Sequence, residues 1–180
     1  FIIGSREEFL TADGDLIQNP AYGIVKALEH VAKKLVPLSC IQVYFFEVFG
    51  GDLPASKQYT SSKAISIRLF DSAIVPLDVL ERPIAQIAAW RDHGGQDFVH
   101  QADFALLAKD LAAAGIPVER VPDIGIASGL PQTIEQTYEW LKFYEKSCCN
   151  LGGGKGRSEV IVAWTADRNV IAKFRFEDYV

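Results

Sequence analysis

The segment Val170–Val180, VIAKFRFEDYV, separates two kinds of chemistry. Successive side chains of a strand point to opposite faces. Read that way, Ala172, Phe174 and Phe176 form a core-like face, while Ile171, Lys173 and Arg175 form the other. Two cations side by side on a rigid element suit a phosphate, which accepts charge-assisted hydrogen bonds from both. Glu159 leads the preceding apolar run, SEVIVAW, beside a Gly-rich loop. In a hairpin of the two runs, three charges of mixed sign suit a phosphate and a divalent cation together. The plainer reading is a cross-strand ion pair, worth ~0.2–1 kcal/mol.

Two further residues break the pattern around them. Glu47 shares a strand face with Ile41, Val43, Phe45 and Phe49, just before Gly50-Gly51. A carboxylate on an apolar face is costly unless it is paired, ligates something or reaches solvent at the rim. The glycine pair is a place where a ligand can come close to the backbone. Phe70 inverts the problem, lying with Ser66 and Arg68 while Ile65, Ile67 and Leu69 face the other way. A ring on a polar face is either a stacking platform for a base, worth ~1–3 kcal/mol, or a second core layer under a helix.

Other motifs carry less. GGGKG resembles a phosphate loop, but G-x-x-x-x-G-K-[ST] needs Gly at 149 and Ser or Thr at 156, where this chain has Cys149 and Gly156. TADGD reads as an Asp-Gly turn. His30, His93 and His100 are scattered, and Arg6 in IIGSR says nothing alone. Cys40, Cys148 and Cys149 lack metal-ligand spacing and read as free thiols of a reducing cytoplasm.

The elements that must position these residues follow from periodicity. FIIGSR reads as a strand. Asn19-Pro20 is expected to start a helix that keeps its apolar period from Ile24 to Leu35. IQVYFFEVF and KAISIRLFD read as strands separated by a polar loop. Leu77, Leu80, Ile84, Ile87 and Ala88 predict one helix that stops at Gly94-Gly95. Asp103 is expected to cap the next, ended by Gly115 and Pro117, and Pro131 to open the one carrying Tyr138 and Leu141. SEVIVAW and NVIAKFRF finish the chain, joined through residues Thr165 to Arg168. There is no internal repeat, so the expectation is one α+β unit of mainly antiparallel strands with interspersed helices.

The 180 residues are enough to bury a core, and no apolar run approaches the ~18 residues of a membrane span. A formal charge of −5 argues against wrapping nucleic acid by charge alone, so polyanion contact must come from clustered cations such as Lys173 and Arg175. The chain begins inside a strand with Phe1 and contains no Met, which predicts that an upstream part is missing.

In order, GSR, FFEVFGG, IRLFD, RSEVIVAW and IAKFRFEDY resemble motifs Ia, III, IIIa, IV and V of the covalent nucleotidyltransferases, with the nearest likeness to ATP-dependent RNA ligases. The likeness runs from Gly4 to Tyr179, and the helix TIEQTYEWLK is also similar to bacterial-type members. It implies an α+β nucleotidyltransferase fold, ATP-grasp-like, over residues 1–180, with the nucleophile strand upstream. By position it assigns Glu47 to the ATP ribose, Phe70 to stacking on adenine, Glu159 to placing Mg2+, and Lys173 and Arg175 to the phosphates. Arg6 falls near the sugar or the RNA 3′ end.

The implied activity is sealing of RNA 5′-phosphate and 3′-OH ends through lysyl-AMP and RNA-adenylate, a cytoplasmic RNA-repair reaction with ATP, Mg2+ and RNA as partners. The motif I lysine, in K-x-[DEH]-G, would attack the α-phosphate. A free lysine has a pKa near ~10.4 and must be neutral to attack, which neighbouring cations favour. This chain departs from the family in three ways: motif I is absent, Val160 stands where a Gly usually follows the motif IV glutamate, and Arg175 stands where Lys is common. Those departures leave open a non-catalytic nucleotide- or RNA-binding relative, and a DNA ligase or capping-type enzyme shares the chemistry.

Overall fold

Runs rich in β-branched and aromatic residues form the strands here, and glycines and prolines mark where most elements stop. The computed structural model describes residues 1–5, 8–12, 15–16, 22–36, 38–53, 56–116, 118–125, 128–146, 151 and 158–179. In chain order these are β1 (Ile2–Gly4), β2 (Phe9–Ala12), β3 (Asp15–Leu16), α1 (Ile24–Ala32), β4 (Ile41–Phe49), α2 (Ser56–Tyr59) and β5 (Ser66–Val75). A 3₁₀ turn (Leu77–Glu81), α3 (Ile84–Asp92), β6 (Asp97–Phe98), α4 (Gln101–Ala113) and β7 (Glu119–Arg120) follow. The chain continues through α5 (Ile134–Lys142), β8 (Val160–Trp164), β9 (Ile171–Arg175) and a 3₁₀ turn (Phe176–Tyr179). The protein is therefore α+β with antiparallel sheets, and the short β5–β7 pairing is parallel.

The chain divides into two units. Phe1–Glu47 with Ile67–Arg120 form the first, and Val48–Ser66 with Val121–Val180 the second. In the first unit, β1, β2 and β3 make one antiparallel sheet, and β4, β5 and β6 another, with β7 also on β5. Its core joins Val31 of α1, Leu69 of β5, Phe104, Ala108 and Leu111 of α4, and Ile116 and Val118, with Tyr44, Phe46 and Ile67 packed against them. Burying side chains of this size yields roughly 1.5–3 kcal/mol each.

Local signals explain most differences from the sequence reading. Helix α1 begins after Gly23, whose φ of 71° is left-handed; the Asn19-Pro20 start and the Asp13-Gly14 turn lie outside the described residues. The expected helix from Leu77 to Ala88 is two pieces. Pro83, with extended backbone and no N–H to donate, separates the 3₁₀ turn from α3. His100, not Asp103, caps α4, its ring accepting the Ala102 N–H at 3.4 Å. Asp103 instead lies in the first turn, where its charge favours the helix dipole.

The second unit is smaller in apolar content. Thr133, not Pro131, caps α5 by accepting the Gln136 N–H at 3.2 Å, while Gln136 accepts the Gln132 N–H at 3.0 Å. That is a capping box shifted by one residue. Strands β8 and β9 form an antiparallel hairpin, and Trp140 of α5 meets Phe174 of β9 edge-on at 5.3 Å. Leu141 and Ile161 are buried, but so are the polar Ser56, Thr60, Thr137 and Arg168.

Candidate functional site

In the first unit, Tyr44 and Phe46 of β4 pack on the core, so Phe45 and Glu47 belong to the opposite face of the strand. The face that Glu47 shares with Ile41, Val43, Phe45 and Phe49 is therefore the one turned away from this core. Phe45 lies at 6.0 Å from both Phe70 and Phe98, centroid to centroid, with the rings tilted by 36° and 33°. Phe70 keeps 38% of its surface exposed, so it is not a layer sealed beneath a helix. Glu47 is exposed near the end of the same face. The structure thus brings Phe70 and Glu47 to one face, a ring and a carboxylate over a sheet whose other side is a packed core. Arg68, on the face read as polar, is held by Glu119 at 2.8 Å and by the Arg120 carbonyl at 3.1 Å. Arg6 lies outside the described residues.

The glycine pair after β4 belongs to the second unit and has a local cause. Gly50 and Gly51 have φ of 95° and 56°. A Cβ on Gly50 would stand 2.0 Å from the Ala64 carbonyl oxygen, and one on Gly51 would stand 2.6 Å from Ile65 Cδ1. The close approach that the glycines permit is taken up by the chain's own residues 64 and 65, not left to a ligand. Immediately beyond, Ser56 Oγ accepts the Gly50 N–H at 2.9 Å.

The β8–β9 hairpin sets the cations. Its register places Arg175 opposite Val160 and Lys173 opposite Val162, so these four share one face, with Ile161 and Phe174 on the other. Lys173 and Arg175 are both exposed, and their backbone positions are about 7 Å apart along the strand. Arg175 also lies 3.8 Å from Glu177, a pair exposed on both sides and therefore weak. Glu159 precedes β8 and follows the phase of Ile161 and Phe174, so the hairpin does not gather it with Lys173 and Arg175 on one face as the sequence reading expected. Its carbonyl accepts the Phe176 N–H at 3.2 Å, and its exposed carboxylate accepts the Tyr59 hydroxyl at 2.9 Å through Oε2. The hairpin turn is tied by Asp167, which accepts from the Thr165 hydroxyl and the Asn169 N–H. Those bonds, the Thr165 hydroxyl first, hold the Asp167 carboxyl below its usual pKa. Arg168, at φ 63°, lays its guanidinium 4.4 Å over Trp164.

Sequence reasoning missed Tyr59. The stretch between β4 and β5 reads only as a polar Ser- and Lys-rich loop, and a hydroxyl contact spanning 100 residues leaves no local signal. Among the described residues, no three His, Cys, Asp or Glu side chains gather as a metal site. No described helix is long and apolar enough to cross a membrane. No family model, curated protein or solved structure matches this chain.

Proposed function

We propose that this chain carries the nucleotide-handling part of an ATP-dependent RNA ligase. The observation that carries the reading is the shared sheet face of Phe70 and Glu47, where the ring is 38% exposed and the carboxylate is exposed. An exposed ring on a rigid sheet stacks on a base at ~1–3 kcal/mol, and a carboxylate accepts two ribose hydroxyls. The family resemblance assigns Lys173 and Arg175 to the phosphates, and two exposed cations on one strand face suit an anion and the charge that builds on it. A lysine of the K-x-[DEH]-G type, which these 180 residues do not contain, is the family's nucleophile. Near such cations its amine loses its proton more readily and attacks.

Magnesium fits the donors available. Mg2+ is commonly held by one or two carboxylates together with substrate phosphates, and Glu159 offers one exposed carboxylate of the required hard-oxygen type. Held there with ATP, the ion would supply charge neutralisation on the phosphates. The RNA ends, as acceptor and 5′-phosphate donor, follow from the motif order alone.

A nucleotide-binding relative without ligase chemistry is the second reading. Val160, opposite Arg175, places a branched side chain beside the cation where the family has glycine. Labelling separates the two. The gene-encoded protein, incubated with α-labelled ATP and Mg2+, should acquire a covalent label and pass it to 5′-phosphorylated RNA. ATP binding without label would move the assignment to the second reading, and no ATP binding would end both.

A further inference from the structure

Residues 56 to 60 form a small clamp inside the second unit. Ser56 Oγ, buried, accepts the Gly50 N–H at 2.9 Å. The buried Thr60 donates its hydroxyl to the Leu151 carbonyl at 3.2 Å and accepts the Ser62 N–H at 3.0 Å. Between them, the half-buried Tyr59 donates to Glu159 Oε2 at 2.9 Å. Ser56 and Thr60, on either side of Tyr59, are tied by a buried and by part-buried hydrogen bonds, so the phenol is presented from a short, braced helix and not from a loose loop. Glu159 is exposed and lies outside β8, where nothing in the strand ladder would fix its rotamer.

We infer that Tyr59 is a positioning residue for Glu159. It occupies Oε2 and fixes the carboxylate plane, which leaves Oε1 to face a divalent cation arriving with a nucleotide. A carboxylate that ligates a metal is commonly held by an outer hydrogen bond, and loss of that bond typically weakens the metal by about 10–100-fold. The inference rests on the assignment of Glu159 to Mg2+ made above, and it adds the residue that orients it.

The test uses the full chain and the α,β-methylene analogue of ATP, whose dissociation constant is measured by calorimetry with and without Mg2+. The readout is the tightening that Mg2+ brings. Glu159→Gln should abolish it. Tyr59→Phe, which keeps the ring, should reduce it by a factor on the order of ten and leave the Mg2+-free constant unchanged. Thr60→Val breaks the adjacent bond to the Leu151 carbonyl without touching the phenol and should stay within twofold of the parent. If Glu159→Gln has its effect while Tyr59→Phe stays within twofold, the role of Tyr59 is refuted and that of Glu159 stands. If Glu159→Gln changes nothing, the metal assignment falls and Tyr59 falls with it. Equal losses for Thr60→Val and Tyr59→Phe would show a general loosening of the clamp and would also refute the positioning role.

Discussion

The two units hold their candidate residues by different means. Phe70 and Glu47 stand on β4 and β5, whose other face buries Leu69 against α4 and α1. Lys173 and Arg175 stand on a two-stranded hairpin, an element that is marginal by itself. Hydrogen bonds at its turn, the Trp140–Phe174 contact and the Tyr59–Glu159 bond at its start brace that hairpin. Apolar packing fixes the ring and carboxylate of the first unit, and polar contacts hold much of the second. Substitutions in the two should therefore differ in both size and kind.

The largest effect belongs to the first unit. Leu69 is fully buried, and Leu69→Ala should cost about 2–5 kcal/mol through lost transfer energy and a residual cavity. Urea denaturation of parent and variant would measure it, and a loss under 1 kcal/mol would break the contrast by showing that the sheet does not depend on this core. In the second unit, Thr133→Ala removes the α5 cap and should cost about 1 kcal/mol, read by the same denaturation.

The smallest effect is acid-dependent and local. The carboxyl of Asp167 is lowered in the folded chain, chiefly by the Thr165 hydroxyl and then by Asn169. A depressed carboxyl stabilises the fold at pH above the unfolded value near ~3.9, and the contribution is lost as pH falls through the folded value. The protection of the Asn169 and Val170 amides, taken relative to their intrinsic exchange at each pH, should therefore fall below the usual carboxylate range in the parent. Asp167→Asn should show no such step.

What was legible in the sequence follows from these same differences. The β8–β9 alternation was plain because Lys173 and Arg175 alternate with Ala172 and Phe174, and the observed faces agree as far as Arg175; the strand expected to run on through Phe176 gives way there to a 3₁₀ turn. Strand β4 was legible as a strand but not in its orientation. With Ile41, Val43 and Phe45 on one side and Tyr44, Phe46 and Val48 on the other, an apolar alternation carries no sign. The burial of three consecutive residues, Asp71, Ser72 and Ala73, likewise breaks a pattern that a two-residue period would extend. Gly50-Gly51 signalled a close approach correctly but not its partner, because Ala64 and Ile65 arrive through a turn with no periodicity. Tyr59 and Glu159 meet only through tertiary structure.

The account stands most directly on ATP binding, with Phe70 in the first unit and Lys173 and Arg175 in the second tested separately. Calorimetric titration of the full chain with the α,β-methylene analogue of ATP and Mg2+ should give saturable binding. Phe70→Ala should weaken it by ~1–3 kcal/mol, and Lys173→Ala with Arg175→Ala should weaken it at least as much, while both variants keep the parent's melting temperature within a few degrees. Absence of binding by the parent, or an affinity that neither variant alters, would contradict the proposal.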